Sequence, residues 1–297
     1  MWQLQHPDAH NPTYLMNAKL TLSDDLKMCV PKAIVRRRTP YKDVMFAANL
    51  TPRHTVIDCH LDQSRDGIIQ CVGSSKKVVI MWPATDGNLE LLQEDPTHSM
   101  KFARIGNRMK GGIIVSIDSR VGLEMCTGTI HMTITMEGGP LVGINYVSAE
   151  GHCAGARCFR YEMIARLERD SSTIFTIYAD QLEASLEGNN QVRHQSVLQD
   201  WAINYSLLIM MCRNLPKSTV NELRRVVRTL RNLLKRPWPL KMSCCGYVGD
   251  QFEQHFEDAH MKDLELLIEG AGKRKDRPKR NLDVVGGRET GGQGAMK

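Results

Sequence analysis

Between residues 26 and 150 the apolar positions come in short runs separated by turn residues. Ile68 to Val72 is one run, KVVIMW from Lys77 to Trp82 is a second that Pro83 stops, and GIIVSI from Gly112 to Ile117 is a third. HMTITM, His131 to Met136, alternates polar with apolar residues, and LVGINYV follows it from Leu141 to Val147. Glu137-Gly138-Gly139-Pro140 separates these last two runs, a spacing that predicts a β-hairpin. β-Branched residues dominate all five runs, so the segment is expected to form short strands in a sandwich or barrel.

After about residue 155 the period changes. Residues 173–188 and 194–212 show helical spacing. The strongest helical pattern is 219–235, where Val220, Leu223, Val226, Val227, Leu230, Leu233 and Leu234 share one face. Thr219 and Glu222 fit a capping box, Arg224, Arg225, Arg228 and Arg231 line the other side, and Pro237 and Pro239 close the element. The apolar stripe is expected to pack on a core or on a second subunit. The expected organisation is an irregular lead-in over 1–25, a β core over 26–155, a helical region over 156–240, a small Cys/His segment over 241–265 and a disordered basic tail over 266–297.

The composition is that of a globular chain: 297 residues, 42% hydrophobic and 24% charged, with a net charge of +6. The basic excess gathers at Arg36-Arg37-Arg38, at 224–236 and in the run Lys273 to Arg280. That last run reads as a nuclear-import signal or a nucleic-acid contact. No basic region followed by an apolar run opens the chain, and no apolar stretch approaches membrane-spanning length. The nine cysteines follow no disulfide framework. The expectation is a protein of the nucleus, otherwise the cytoplasm, with no membrane contact.

Candidate chemistry starts from the His-x-Asp/Glu pattern. On a strand, positions i and i+2 face the same way, so both side chains can reach one ion. The pattern occurs at His6-Pro7-Asp8, His60-Leu61-Asp62 and His255-Phe256-Glu257, and about one match is expected by chance. Only His60 and Asp62 lie in the strand-rich region with a later histidine, His131, to complete two imidazoles and one carboxylate. That donor set is the facial triad of non-haem Fe(II) oxygenases. A lone histidine is more often a satisfied core residue than a ligand, and the combination is what carries the expectation.

The stretch HLDQSRDGIIQCVGSSKKVVIMWP, residues 60–83, together with TGTIHMTITMEGGPLVGINY, residues 127–146, resembles a Jumonji-C (JmjC) domain, especially its uncharacterised fungal members. The resemblance implies an α+β protein with a double-stranded β-helix (cupin or jelly-roll) core followed by C-terminal α-helices. It implies Fe(II) on His60, Asp62 and His131, with 2-oxoglutarate as co-substrate, oxidised to succinate while a C–H bond of a protein side chain is hydroxylated or demethylated. Lys77 matches the lysine that binds the far carboxylate of 2-oxoglutarate, with Lys76 as its neighbour, and Asn145 matches a polar residue near the co-substrate. The family places a hydroxyl residue three positions before the first histidine. Ile57 stands there instead, and Thr55 is the nearest hydroxyl. Cys126-Thr127-Gly128 replaces the usual proline before the distal histidine.

The implied partner is a protein substrate, a histone or another nuclear protein, and C-terminal helices of such oxygenases often cover the barrel or form homodimers. The rival expectations are a JmjC-like interaction module without activity and a cupin that binds a small molecule through another metal. A second metal candidate lies in MSCCGYVGDQFEQHFEDAH: Cys244, Cys245, His255 and His260 suit a structural Zn(II). The alternative there is a small helical cap with buried thiols.

Overall fold

The structure, a computed structural model, describes residues 5–6, 14–20, 46–62, 65–94, 100–165, 171–186, 189–212, 217–236, 243–249 and 251–273. It is an α+β protein whose described sheets are all antiparallel. The strands of the β region are β1 (Leu15–Leu20), β2 (Phe46–Thr51), β3 (Val56–His60), β4 (Asp66–Cys71), β5 (Lys76–Trp82), β6 (Ile113–Ile117), β7 (Gly122–Met125), β8 (Ile130–Glu137) and β9 (Gly139–Tyr146). One sheet has the order β1-β2-β9-β4-β7 and the other β3-β8-β5-β6. The chain therefore passes from one sheet to the other at β2–β3, β3–β4, β4–β5, β6–β7, β7–β8 and β8–β9.

The hairpin expected at the Gly-Gly turn does not form. β8 pairs with β3 and β5, whereas β9 pairs with β2 and β4. The glycines carry the chain across between sheets. A Cβ on Gly139 would stand 3.0 Å from the Cβ of Ser75, a contact the neighbour must give way to, and its φ of +154° is one that residues with side chains rarely adopt, so glycine suits a crossing this close to the β4–β5 turn. The lead-in expected to be irregular contains β1, an edge strand held by backbone pairing to β2 from Leu15 opposite Leu50 to Leu20 opposite Phe46. Tyr14, Leu15 and Met16 are exposed, so no alternation of burial marked this strand in the sequence.

The two sheets face each other across Ile69, Cys71, Met125 and Leu141 from the first and Val79, Met81 and Ile117 from the second. The outer face of the second sheet carries Cys59, Trp82, Ile130 and Met132. It is covered by Leu89 of α1 (Asp86–Glu94), by Ile105 of α2 (Lys101–Ile105) and by Cys158 of α3 (His152–Ala165). α1 and α2 interrupt the run of strands expected over 26–155.

The C-terminal half is helical: α3, α4 (Ser171–Ser185), α5 (Gln191–Cys212), α6 (Lys217–Leu234), the hairpin β10 (Ser243–Cys244) and β11 (Tyr247–Val248), α7 (Phe252–His260) and α8 (Lys262–Lys273). The stripe predicted on 219–235 is realised. Val220, Leu223, Val226, Val227, Leu230, Leu233 and Leu234 are all buried in one core with Phe159, Phe175, Trp201 and Phe256. At roughly 1.5–3 kcal/mol per buried large aliphatic side chain, that face holds α6 in place. The helix begins at Lys217, so Thr219 sits in the first turn rather than ahead of it. Arg225 bonds Asp180 and Glu183 of α4, and the half-exposed Arg231 bonds Glu265 of α8, so these two arginines tie α6 to neighbouring helices. α8 runs to Lys273, past the expected start of the tail at 266, because Leu264 and Ile268 extend the packed face. Arg36–Arg38 and the basic run after Lys273 lie outside the described residues. No helix among those described is long and apolar enough to cross a membrane.

Candidate metal centre

β8 alternates, but in the sense opposite to a surface strand. Its apolar positions Ile130, Met132 and Ile134 face outward beneath the helices. Its polar positions His131, Thr133 and Thr135 are buried and face inward with Val79 and Met81. Burying a row of polar side chains is costly unless they have partners. The interior they face is therefore the place to look for a site.

Register brings the first two predicted ligands together. His60, the last residue of β3, stands directly opposite His131 in β8, across a bulge between Ile57 and His60. Their ring centroids are 4.3 Å apart. Asp62, two residues on, places Oδ1 3.6 Å from His60 Nε2 and Oδ2 3.8 Å from His131 Nε2. One ligand atom from each of the three residues lies within 4.8 Å of the others. Metal–donor bonds of roughly 2.1 Å set neighbouring donors about 3.0–3.4 Å apart, so the two carboxylate–imidazole separations close by about 0.2–0.8 Å around an ion.

Both imidazoles are oriented for coordination. His60 Nδ1 lies 2.7 Å from the Asp58 carbonyl and His131 Nδ1 lies 3.2 Å from the Thr129 carbonyl. A carbonyl only accepts, so each Nδ1 carries the proton and each Nε2 lone pair points at the cluster. Burial, and then the neighbouring His60, push the pKa of His131 down, against the opposing pull of Asp62. The buried ring is thereby kept neutral, as a ligand must be. Cys59 lies in the outer-face cluster, on the other side of β3 from the metal ligands, and burial pushes its thiol up to about 12.

Asp58 ties this ligand pair to the helical cover. Its carboxylate accepts the backbone N–H of Lys101 at 2.5 Å and of Phe102 at 2.9 Å, at the start of α2, and that of Cys59 at 2.8 Å. The same residue thus caps a helix with its side chain and fixes the His60 ring with its carbonyl. Nothing in the sequence distinguished it from other aspartates, because its partners lie 43 and 44 residues away.

Lys77 lies deeper on the same inner face. It is wholly buried, in β5 opposite Thr135. Its ammonium donates to Thr51 Oγ1 at 2.5 Å and to Thr135 Oγ1 at 2.9 Å, and those hydroxyls lie 3.0 Å from each other. No acidic side chain among the described residues pairs with it, and burial pushes its pKa down to about 8. Lys76, its neighbour, is exposed, as strand alternation requires. The hydroxyls on the lysine come from Thr51 and Thr135. Thr55 lies in the turn before β3 and contributes its backbone carbonyl to the Thr135 N–H at 2.8 Å. Thr51 and Thr135 escaped the sequence reading because only cross-strand register shows them. Asn145 shares the inner face of β9 with Leu141 by alternation, opposite Gly67, and is exposed.

The C-terminal candidate also converges. Cys245 Sγ lies 3.3 Å from His255 Nε2 and 3.1 Å from His260 Nε2. The side chain of Cys244 lies outside the described residues. A third cluster, which the sequence did not suggest, joins His152 and Cys153 at the start of α3 to Asp200 of α5. His152 Nε2 and Cys153 Sγ are 3.2 Å apart, and burial pushes Asp200 up to about 6.

Set against known proteins, the chain matches no family model, and no curated protein matches it in sequence. What can be said of its chemistry therefore starts from a His60–Asp62–His131 cluster able to hold a metal ion and a buried lysine on the same wall.

Proposed function

We propose that the protein is a JmjC-type oxygenase, with Fe(II) on His60, Asp62 and His131 and 2-oxoglutarate anchored by Lys77. The observation that carries this reading is the buried ammonium of Lys77, which lacks an acidic partner among the described residues. A buried cation held only by two hydroxyls is costly, and an anionic ligand relieves that cost. Lys77 stands opposite Thr135, four residues along β8 from His131, roughly 13 Å at the strand rise. An ion on the histidines at one end and the Lys77 ammonium at the other would bind the two ends of a short dicarboxylate. The alternation of strands between two facing antiparallel sheets supports a double-stranded β-helix as the frame.

Within that reading the residues divide the work. His60, His131 and Asp62 bind the ion on one side, and the Asp58 and Thr129 carbonyls hold the two rings in their ligating tautomer. Lys77 binds the distal carboxylate as a point charge, and Thr51 and Thr135 hold its ammonium in place beforehand. Bound iron, 2-oxoglutarate and O2 supply the oxidation of a C–H bond. The substrate proposed from the resemblance is a protein side chain, hydroxylated or demethylated, in the nucleus.

The test is conversion of 2-oxoglutarate to succinate by the full chain with Fe(II), beside His60→Ala. Turnover by the wild-type chain that disappears in His60→Ala supports the proposal. Bound metal and 2-oxoglutarate without succinate, with and without histone peptides, would replace it with an inactive interaction module on the same frame.

A further inference from the structure

The Cys/His cluster at the other end of the chain is unrelated to that chemistry. It is built by three elements. β10 and β11 form a hairpin with Ser243 opposite Val248 and Cys244 opposite Tyr247, leaving Cys245-Gly246 as a two-residue loop. Both loop residues have positive φ, +43° at Cys245 and +85° at Gly246. Such loops favour Asn, Asp or Gly at the first position, where a residue with another side chain is strained. A cysteine kept there aims its sulfur at α7.

That helix presents two imidazoles to the same sulfur, each through Nε2, at 3.3 Å and 3.1 Å. The rings are braced from outside the cluster. Tyr247 stacks on His255 at 4.1 Å, 9° from parallel. Trp201 Nε1 of α5 donates to the His260 carbonyl at 2.8 Å, and the Tyr205 ring meets the His260 ring edge-on at 5.7 Å. One thiol proton can serve only one of two imidazole acceptors. A tetrahedral ion uses all three groups as donors. With bonds of about 2.3 Å to sulfur and 2.0–2.1 Å to nitrogen, it separates sulfur from nitrogen by about 3.6 Å, an opening of a few tenths of an ångström from the distances here.

We propose that Cys245, His255 and His260 form a second, thiolate-containing metal site that takes Zn(II) and clamps the β10–β11 hairpin onto α7. Sulfur with two imidazoles selects a borderline-soft ion and gives no advantage to the hard ions that suit His60, Asp62 and His131. Binding forms a zinc–sulfur bond and releases the thiol proton. The exposed side of Cys245 leaves room for a fourth ligand. Because Phe252, Phe256, Met261, Leu264 and Ile268 of α7, its C-terminal end and α8 lie in the helical core, the clamp fixes the hairpin to the bundle.

The test is Co(II) titration of the metal-stripped full chain, followed by absorption. The wild-type chain and His60→Ala are both expected to show a thiolate-to-cobalt charge-transfer band with tetrahedral d–d intensity. Cys245→Ser is expected to lose the band and at least ~100-fold in Zn(II) affinity. His255→Ala, which leaves the hairpin's own residues unchanged but removes the ring that Tyr247 stacks on, gives the same loss in a folded chain. Absence of the thiolate band in the folded wild-type chain, or its persistence in Cys245→Ser, overturns the site. The His60, Asp62 and His131 cluster holds no sulfur, so neither result bears on the oxygenase proposal.

Discussion

Replacing Lys77 with methionine separates a functional lysine from a structural one. In the unfolded chain the ammonium holds its proton up to the ordinary value of 10.5, and in the folded chain burial lowers that to about 8. Between those limits the unfolded state binds more protons, so stability rises with pH there. Below about pH 8 the penalty for burying the charge is complete and constant, and above 10.5 it is gone. At about 1.4 kcal/mol per unit, the shift corresponds to on the order of 3 kcal/mol.

Methionine fills a similar volume without a charge, and the Thr51 and Thr135 hydroxyls, 3.0 Å apart, can still bond each other. Lys77→Met is therefore expected to be about 1–3 kcal/mol more stable than the wild-type chain at neutral pH, with the gap closing towards about pH 10. It is also expected to bind 2-oxoglutarate at least ~10-fold more weakly. Urea denaturation at the two pH values and calorimetric titration of 2-oxoglutarate read both effects. A variant less stable than wild type by more than about 1 kcal/mol would show that the lysine is there to hold the fold, and a gap that does not move with pH would refute the burial penalty.

The same charge sets a pH dependence of binding: 2-oxoglutarate affinity of the wild-type chain should fall as pH rises through about 8, measured by equilibrium titration, because the free ammonium loses its proton there. A flat profile to pH 10 would place the anion elsewhere. Asp58→Ala removes the carboxylate from the start of α2 and is expected to cost about 1 kcal/mol or more in thermal or urea unfolding, while metal affinity changes less than about 10-fold, because the backbone carbonyl that accepts from His60 Nδ1 remains. Gly139→Ala puts a Cβ 3.0 Å from that of Ser75 and should destabilise by about 1–3 kcal/mol, read by urea unfolding. A neutral result would mean that the crossing between sheets is loose.

The sequence made some of this architecture legible and concealed the rest for physical reasons. The 219–235 stripe was readable because helix period is a local property, and α6 buries those seven residues. His60, Asp62 and His131 were readable as residue types, but their meeting depends on β3 pairing with β8, which no local pattern encodes. The polar face of HMTITM read as ordinary alternation. Only the helices over its apolar side make the polar side the interior. The Gly-Gly signal specified a reversal but not the sheet to which the chain returns, hence the hairpin that does not form. Edge strand β1 and the hydroxyls of Thr51 and Thr135 left no trace in periodicity because pairing with other strands creates their roles.

The central claim, that His60, Asp62 and His131 hold one metal ion between the sheets, is tested most directly by Mn(II) binding to the metal-stripped full chain, followed by electron paramagnetic resonance. A hard ion suits a two-imidazole, one-carboxylate set and is disfavoured by the thiolate site. The account predicts about one equivalent bound by the wild-type chain and none by a folded Asp62→Ala variant. Undiminished binding by that variant would contradict it.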